Sequence, residues 1–369
     1  MLTNKHSPLT VLIPTRNRLP FLSAQLRFFK ECGLRHPIRV IDSSNPQMVA
    51  QTRAACCNTA EYQRVDPELR LVEKLLKILD LVETPFVVLA ADDDVTFPHA
   101  IDSALTYLQS NPDYVAAQGY VLQFAIHRSD VDIHDVVCFT PTIGEDDPLQ
   151  RHYNLMRRYQ AFYWGVFRTE VLATALKAAH AMNGIVFREL TVMNTVVLQG
   201  KVVRLPVIYG LRGPEVSVTP IAESHPFFWF LNNAESFFQS YRTYRDALAR
   251  FIRDRGVRVP DRVALEQVLD MVHTTWLGRE LNLATVNHAA RHLLGDPVRP
   301  GYVAHERRGW HPPADGDVVH QSVGQYRRYV WRHNVIEAEP RDEISISGEE
   351  MSRIERQLDA YHPSDIEVT

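Results

Sequence analysis

The sequence has few cysteines, no excess of basic residues and no long apolar run. Its 369 residues include only 4 cysteines, with no CxxC pair and no histidines at matching spacing, so we expect reduced thiols and neither a disulfide framework nor a zinc site. The formal net charge of -4, from 40 basic and 44 acidic residues, gives no electrostatic basis for binding nucleic acid. The composition therefore argues against secreted disulfide scaffolds and nucleic-acid-binding proteins.

Membrane-spanning segments are also missing from the pattern. No run approaches the roughly 20 apolar residues that a bilayer span requires, and the first residues lack the apolar core of a signal peptide. We therefore expect a cytoplasmic protein without a transmembrane segment, whose membrane contact, if it has one, is peripheral and on the inner face. With 45% hydrophobic and 23% charged residues, the chain has the composition of a globular protein of one or two domains.

Strand-like and helix-like patterns alternate through the first half of the chain. The strand-like runs lie at residues 10–14, 38–42, 62–65, 86–90, 114–126, 136–139 and 201–209. Helical spacing follows each of the first four runs, which is typical of a doubly wound α/β sheet with many parallel strands. The fold class predicted is therefore α/β.

The composition changes after about residue 220. We predict a first domain over residues 1–220 and a mainly helical region over 221–369. Helical spacing there indicates long helices over residues 227–255 and 261–294 and a last helix over 347–361. Proline, glycine and histidine between them predict an irregular segment around 295–320.

Three consecutive acids, Asp92, Asp93 and Asp94, follow the apolar run at residues 86–90. If the backbone stays extended, Asp92 and Asp94 project together and Asp93 points away. Two carboxylates so close repel each other, and a hard divalent cation such as Mg²⁺ or Mn²⁺ relieves that repulsion. Ligand sites of open α/β sheets lie at this end of the strands. The alternative is an acidic turn that caps the helix beginning near Pro98.

Four pieces of the first 220 residues, in this order and spacing, resemble the GT-A glycosyltransferases, nearest the family 2 type. They are Pro14-Thr15-Arg16-Asn17-Arg18 after the first strand, Asp42 ending the second, Ala91-Asp92-Asp93-Asp94 after the fourth, and Phe187-Arg188-Glu189. The resemblance implies a GT-A (Rossmann-like) mixed sheet flanked by helices, followed by a C-terminal helical region. It also implies a nucleotide-diphospho-sugar donor, a hydroxyl acceptor and a divalent cation, Mn²⁺ or Mg²⁺.

The resemblance assigns two groups of residues to the donor half. Those expected to bind the donor are Pro14, Thr15, Arg16, Asp42, Lys74, Asp92, Asp93 and Arg212, and those expected to hold the metal are Asp92, Asp94 and His225. For Asp42, an alternative is that its carboxylate caps the turn formed with Ser43 and Ser44. For Asp92, contact with the ribose is an alternative to metal binding.

The resemblance assigns Glu189 as the general base that removes a proton from the acceptor hydroxyl. Leu190 follows it where the family commonly has a second acid, so the alternative is a carboxylate favoured by the helix N-terminus. Trp164 and Gly165 are expected to form an acceptor platform, with core packing as the alternative. The implied activity is an inverting transfer to a glycan, glycolipid or glycosylated product, in synthesis of molecules such as surface polysaccharides.

Two other functions fit parts of the pattern. Asp92 to Thr96 matches the D-x-D-x-T pattern of haloacid-dehalogenase-like phosphatases, in which the first aspartate is the nucleophile, although that pattern normally follows the first strand. The second is a non-catalytic GT-A-like domain that binds carbohydrate or a partner, which the incomplete motif at Glu189 leaves open.

Overall fold

The structure is a computed structural model that describes residues 7–127, 130–138, 141–157, 159–212, 226–257, 259, 262–280, 318–323 and 326–331. Most of the segment predicted to be irregular, and the helix predicted over residues 347–361, lie outside these ranges. So does the last part of the helix predicted over residues 261–294.

The first ninety residues alternate strands and helices as predicted. The elements are β1 (Leu9–Thr15), α1 (Leu19–Glu31), β2 (Ile38–Asp42), α2 (Val49–Cys56), β3 (Glu61–Arg64), α3 (Leu71–Leu79) and β4 (Phe86–Leu89). All four residues of β4 are buried, because a parallel strand inside an α/β fold is covered on both faces. In α3, Leu75, Ile78 and Leu79 are buried on one face, which fixes the helix on the sheet.

The middle of the chain continues this pattern with longer strands. Its elements are β5 (Val95–Thr96), α4 (Pro98–Ser110), β6 (Tyr114–His127), β7 (Asp130–Cys138), α5 (Pro148–Arg157), β8 (Val166–Arg168), α6 (Thr169–Ala179), α7 (Ile185–Gln199) and β9 (Lys201–Arg212). Most of the predicted strands and helices are present, with ends that differ by a few residues. The short strands β5 and β8 were not predicted.

The C-terminal part is helical where it is described. It comprises α8 (Pro226–Asn232), α9 (Ala234–Asp254), α10 (Arg262–Glu280) and a hairpin of β10 (Val318–Val323) and β11 (Tyr326–Trp331). The single helix predicted over residues 227–255 is wrong, because Asn233 caps α9 by accepting the Ser236 N–H with its side chain. Within the described ranges, no helix is both long and apolar enough to cross a membrane.

Nine of the described strands form one mixed sheet, which confirms the α/β fold class. Its order is β3-β2-β1-β4-β8-β6-β9-β5, with β7 paired to β6. The first four strands run parallel, and β8 is antiparallel to both of its neighbours. The carboxyl ends of β1, β2 and β4 therefore meet at one edge of the sheet, where ligand sites of open α/β folds lie.

Helix α7 joins the sheet to the C-terminal helices. Residues Val192 and Val196 pack in the core beside the sheet, whereas the Phe187 ring lies 5.4 Å from Phe237 and 5.6 Å from Tyr244, both in α9. Aromatic pairs at such distances add to the stabilisation from burial. The C-terminal helices thus share one hydrophobic cluster with α7. The domain boundary at residue 220 stays a prediction.

A buried polar network lies inside this helical cluster. His152 Nε2 is 3.1 Å from His273 Nε2, and His152 Nδ1 is 2.6 Å from Asn194 Oδ1. Tyr244 and Tyr241 each place a hydroxyl 3.2 Å from His273. Burial lowers the pKa of His152 to about 4 and that of His273 well below its ordinary value. The network therefore favours two neutral imidazoles in the folded protein.

Acid should weaken the folded protein through this histidine pair. Because the folded pKa of His152 lies below its value of about 6.5 in an unfolded chain, the unfolded state binds the proton first as the pH falls. Stability from this group should be complete above about pH 6.5 and decline by up to about 3 kcal/mol toward pH 4. Urea unfolding of the wild type and of His152→Gln between pH 7.5 and 4.5 measures it.

The expected result is a smaller loss of unfolding free energy with falling pH in His152→Gln. His180→Gln is the matched control, because the His180 side chain is 56% exposed. An equal acid loss in wild type and His152→Gln would contradict the assignment.

Candidate active site

The site begins where β1 and β4 separate. Leu12 is paired with Leu89, and its carbonyl accepts a hydrogen bond of 2.9 Å from the Ala90 N–H. Two residues later, on the same side of β1, Pro14 has no N–H to continue the ladder. The chain after β4 is therefore released from β1 and turns, and the acidic triplet occupies this turn.

Asp92 is the buried carboxylate of the site, with 6% exposure. Thr15 donates to its Oδ2 over 2.7 Å, and Arg18 Nη1 lies 3.3 Å from its Oδ1. Burial and, to a smaller extent, the charge of Asp93 raise the pKa of Asp92 to about 6, against the opposing effects of Thr15 and Arg18. A carboxyl with such a pKa changes its ionisation near neutral pH.

The predicted alternation of the three acids is wrong. Strand β4 ends at Leu89, and residues 92–94 form a turn and a bend, so the strand period does not apply to them. Arg18 Nη1 is 2.5 Å from Asp93 Oδ2, and it contacts Asp92 as well. Asp92 and Asp93 therefore converge on one guanidinium, and Asp94 points elsewhere.

Asp94 faces Arg212 from the opposite side of the site. Strand β5 pairs with β9 so that Val95 lies opposite Leu211, and this pairing brings Asp94 Oδ2 to 3.8 Å from Arg212 Nε. Gly210 permits the approach, because a Cβ there would lie 2.5 Å from the Val95 carbonyl oxygen. Arg212 was predicted to bind the donor, and the sheet places it beside the acidic triplet.

Asp42 is fully buried at the end of β2. Its Oδ1 accepts the Ser44 N–H over 2.7 Å, and its Oδ2 accepts the Tyr62 hydroxyl over 2.7 Å. Arg64 donates to the Asp42 carbonyl oxygen over 3.1 Å. These bonds are those of the predicted turn cap. The carboxylate thus organises the loop after β2 and reaches no solvent.

Positive charge collects around this loop. Lys74 is buried in α3 and donates to the Ser43 hydroxyl over 2.6 Å. Burial lowers its pKa, and the nearby charges of Arg16 and Arg64 lower it further, while Asp42 and Glu68 oppose them. Three cationic side chains therefore lie within electrostatic reach of one another, with two carboxylates nearby. An anionic ligand would relieve this repulsion.

A cleft of about 560 Å³ opens beside the same loop. It is lined by residues 63–67 of the β3 end and by Lys77, Ile78 and Leu81. Arg64 lines it, and no member of the acidic triplet does. The cleft therefore adjoins Arg64, includes Asp66 in its lining and lies apart from the acidic triplet.

Asn17 ties the loop after β1 to the loop after β2. Its φ of 57° is left-handed, a conformation that asparagine adopts more readily than most residues. Its N–H donates to the Ser44 hydroxyl over 2.7 Å, and its Oδ1 accepts the Asn45 N–H over 2.8 Å. These bonds fix the exposed Arg16 and the half-buried Arg18 on either side of it.

Trp164 and Gly165 lie beside the end of β4. The Gly165 carbonyl accepts the Leu89 N–H over 3.3 Å, and a Cβ on Gly165 would lie 3.0 Å from the Ala117 carbonyl oxygen. The Trp164 ring packs at 5.4 Å against Tyr163 and is half-buried. Packing therefore explains Gly165, and the partial exposure of Trp164 keeps it a candidate platform.

Glu189 lies in the second turn of α7 and is partly buried. Tyr159 donates its hydroxyl to Glu189 Oε1 over 2.8 Å. Burial raises the pKa of Glu189, while the Tyr159 bond and the charge of Arg212 lower it. Arg212 also faces Asp94, so its charge acts on both the acidic triplet and Glu189. A carboxylate with a raised pKa suits a general base near neutral pH.

The described residues contain no group of three His, Cys, Asp or Glu side chains that could hold a metal ion by themselves. Predicted ligand His225 lies outside the described residues. Mg²⁺ and Mn²⁺ are often held by one or two carboxylates together with phosphate oxygens of the substrate. One carboxylate, such as that of Asp94, is a sufficient protein ligand for a site of this kind.

Four residues that shape the site had no predicted role. Arg18 was named only as the last residue of the run Pro14 to Arg18, and Tyr62, Arg64 and Tyr159 were not singled out. Arg18 contacts residues 74 and 75 positions away, and no local pattern predicts such pairs. An arginine in the loop that follows the first strand is the one signal that could have suggested a partner for the acids.

Replacing Asp92 by Asn should stabilise the protein at neutral pH in the absence of divalent cations. The pKa of Asp92 is raised in the folded state, so stability is complete below about pH 4 and is lost as the pH rises through about 6. We expect the free energy of unfolding to rise by about 1–2 kcal/mol at pH 7.5. This is less than the energy that corresponds to the full pKa shift, because the Asn amide makes a weaker hydrogen bond with Arg18 than the carboxylate does. Near pH 4 the gain should vanish.

Denaturant unfolding at the two pH values measures this difference, with Asp113→Asn as the control at a carboxylate that is 72% exposed. If Asp92→Asn were less stable than the wild type at pH 7.5, the result would contradict the claim that burying the ionised Asp92 carboxylate destabilises the folded protein.

Comparison with known proteins finds similarity in solved structures only. No protein-family model matches the chain, and no curated protein matches its sequence. TarS residues 1–349 from S. aureus in complex with UDP is 11% identical, with a TM-score of 0.46, over 88% of this chain and 96% of that chain. A longer TarS structure is 15% identical, with a TM-score of 0.42, over 74% of this chain and 54% of that one.

Mannosyltransferase PcManGT from Pyrobaculum calidifontis, in complex with GDP-Man and Mn²⁺, is 13% identical, with a TM-score of 0.39, over 79% of this chain and 81% of that chain. The present chain spans about half of the longer TarS structure. At these identities and TM-scores the similarity concerns the fold alone and assigns no activity. These solved structures are what the chain is similar to, and they assign it to no family.

Proposed function

We propose that this protein is a metal-dependent glycosyltransferase that moves a sugar from a nucleotide-diphospho-sugar to a hydroxyl acceptor with inversion. The observation that carries the proposal is the pair of Asp94 and Arg212, 3.8 Å apart after β4, with Glu189 within electrostatic reach of the same arginine. The reaction requires a carboxylate that binds a metal ion, a cationic side chain that binds phosphate and a carboxylate with a raised pKa that accepts a proton. Asp94, Arg212 and Glu189 are these three groups in the proposal.

The donor is proposed to lie along the ends of β1, β2 and β4. Lys74, Arg16 and Arg64 form a cationic rim at the β2 end, and Arg212 adds positive charge near the triplet. A nucleoside diphosphate is anionic, so these charges favour it. Asp42 and Thr15 would act indirectly in this arrangement, because their side chains already bond Tyr62 and Asp92.

Asp94 would hold the divalent cation, Mn²⁺ or Mg²⁺, with diphosphate oxygens as further ligands. Bound there, the ion would neutralise charge that develops on the leaving diphosphate. Arg212, 3.8 Å from Asp94, would contribute to the same neutralisation from the protein. Asp92 and Asp93 would keep Arg18 in place, and Asp93, 24% exposed, remains within reach of the donor.

Glu189 would take the proton of the acceptor hydroxyl while that oxygen attacks the anomeric carbon. The new glycosidic bond forms as the bond to the diphosphate oxygen breaks, and the electron pair leaves on the diphosphate. Direct displacement of this kind inverts the anomeric configuration. Trp164 would supply an apolar face for the acceptor, a glycan, glycolipid or other glycosylated product.

The phosphatase alternative receives no support from the geometry of Asp92. A nucleophilic carboxylate must reach a phosphorus atom, but Asp92 is 6% exposed and both of its oxygens accept hydrogen bonds. A purely binding domain gives no reason for a partly buried carboxylate in the place of Glu189. The transferase reading accounts for both features.

Nucleotide diphosphates should stabilise the protein in a cation-dependent way. Because the described residues supply few metal ligands, we expect Mn²⁺ alone to change the melting temperature little and nucleotide with Mn²⁺ to raise it by several degrees at about 100-fold excess over Kd. A thermal-shift panel of UDP, GDP, ADP and CDP, with Mn²⁺ or EDTA, measures this and identifies the base.

Asp94→Asn should lose the increment due to Mn²⁺, whereas Asp113→Asn should retain it. Equal stabilisation of wild type and Asp94→Asn by the nucleotide with Mn²⁺ would rule out Asp94 as the metal ligand.

Glu189→Gln should bind the donor normally and lose transfer by about 10²–10⁴-fold, because the amide cannot accept the acceptor proton. Initial rates with the nucleotide-sugar chosen from the panel, across a set of sugar acceptors, measure the loss. Glu170→Gln, an exposed glutamate in the first turn of α6, is the matched control. Full activity of Glu189→Gln would remove Glu189 from the mechanism.

A further inference from the structure

Tyr159 contacts the proposed general base but has no role in the transfer reaction described above. It lies between α5 and β8, and its ring packs partly buried against two hydrophobic clusters, that of the sheet with α3, α6 and α7 and that of α7 with α9 and α10. Packing against two clusters restricts the ring to one orientation. In that orientation the hydroxyl donates to Glu189 Oε1 over 2.8 Å.

The bond leaves the carboxylate of Glu189 asymmetric. Oε1 accepts the hydrogen bond from the phenol, so Oε2 is left as the oxygen that would take the proton of an acceptor hydroxyl in the proposed reaction. A carboxylate held through one oxygen keeps its other lone pairs in a fixed direction, which a general base requires. The phenol hydrogen bond also favours the ionised carboxylate, the form that can accept a proton.

The other charged or titratable groups around Glu189 do not replace this contact. Arg188 precedes Glu189 in α7. Tyr163, in the aromatic segment before β8, interacts electrostatically with both residues. Arg212 acts on it from β9 as a charge and also faces Asp94. Among the described contacts, the hydrogen bond to a Glu189 carboxylate oxygen comes from Tyr159.

We propose that Tyr159 is a positioning residue for Glu189, whose hydroxyl holds the carboxylate ionised and aimed at the acceptor. This inference rests on the proposed function, in which Glu189 is the general base. It adds a residue that acts through Glu189 without touching the reacting atoms.

The proposal predicts a defect that depends on pH. In Tyr159→Phe the carboxylate loses a donor that opposes the effect of burial, so the pKa of Glu189 should rise by about one unit. The acid limb of the kcat profile should move to higher pH by the same amount. Below the limb the rate should fall about tenfold, above it the rate should recover most of the wild-type value, and the donor KM should stay unchanged.

Rate profiles from pH 5.5 to 9.5 test this for wild type, Tyr159→Phe and Tyr153→Phe. Tyr153 makes a matched control, because it lies on α5 and is 37% exposed. A merely structural role for Tyr159 would lower the rate equally at every pH, and that result would overturn the proposal.

A measurement without turnover separates this inference from the proposed function. In protein labelled with ¹³C at the glutamate carboxyl, the signal absent from Glu189→Gln reports the titration of Glu189. A higher pKa in Tyr159→Phe supports the contact even if Glu189→Gln retains transfer, a result that would refute only the base assignment. An unchanged pKa overturns the proposal whatever the activity.

If Tyr159→Phe does not fold, a fluorinated tyrosine at position 159 keeps the shape and makes the hydroxyl a stronger donor. The pKa of Glu189 and the acid limb should then move to lower pH. No movement, or movement to higher pH, would overturn the proposal.

Discussion

The Arg18 guanidinium between Asp92 and Asp93 is the interaction on which the site depends. The three side chains come from the loop after β1 and the turn after β4, and Thr15 completes the contact from the end of β1. Two neighbouring carboxylates, one of them buried, would repel each other without a cation between them. Arg18 therefore allows β4 to end in a tight acidic turn and frees Asp94 to face the opposite side.

The opposite side is built by β9 and α7, elements that follow the acidic turn by roughly a hundred residues. Pairing of β5 with β9 positions Arg212 next to Asp94, and the charge of Arg212 extends to Glu189 in α7. The charge of Arg212 thus acts both on Asp94, the proposed metal ligand, and on Glu189, the proposed general base. In the proposed reaction these are the two places where charge changes, on the leaving group and on the acceptor.

Helix α7 gives the C-terminal helices a structural role in the site. Its second turn carries Glu189, Phe187 packs on α9, and Asn194 bonds the Tyr244 hydroxyl and faces His152. Burial of both histidines in a network of hydroxyls and amides fixes α7 against α5, α9 and α10. Glu189 therefore lies on a helix that is packed on both faces, and this packing fixes its position relative to Tyr159.

The amino-acid sequence determined the alternation of strands and helices and the acids at the strand ends, because apolar periodicity and turn residues act over a few positions. Through the resemblance it also predicted roles for Asp94 in metal binding, Arg212 in donor binding and Glu189 as the general base, and these roles stay predictions. Only the tertiary structure decided which residues the site side chains contact. Asp93 contacts Arg18, the Asp42 carboxylate accepts hydrogen bonds from Ser44 and Tyr62, and the Tyr159 hydroxyl donates to Glu189. Asp93 and Arg18 are 75 positions apart and Tyr159 and Glu189 are 30 apart, and packing of the whole sheet sets such distances.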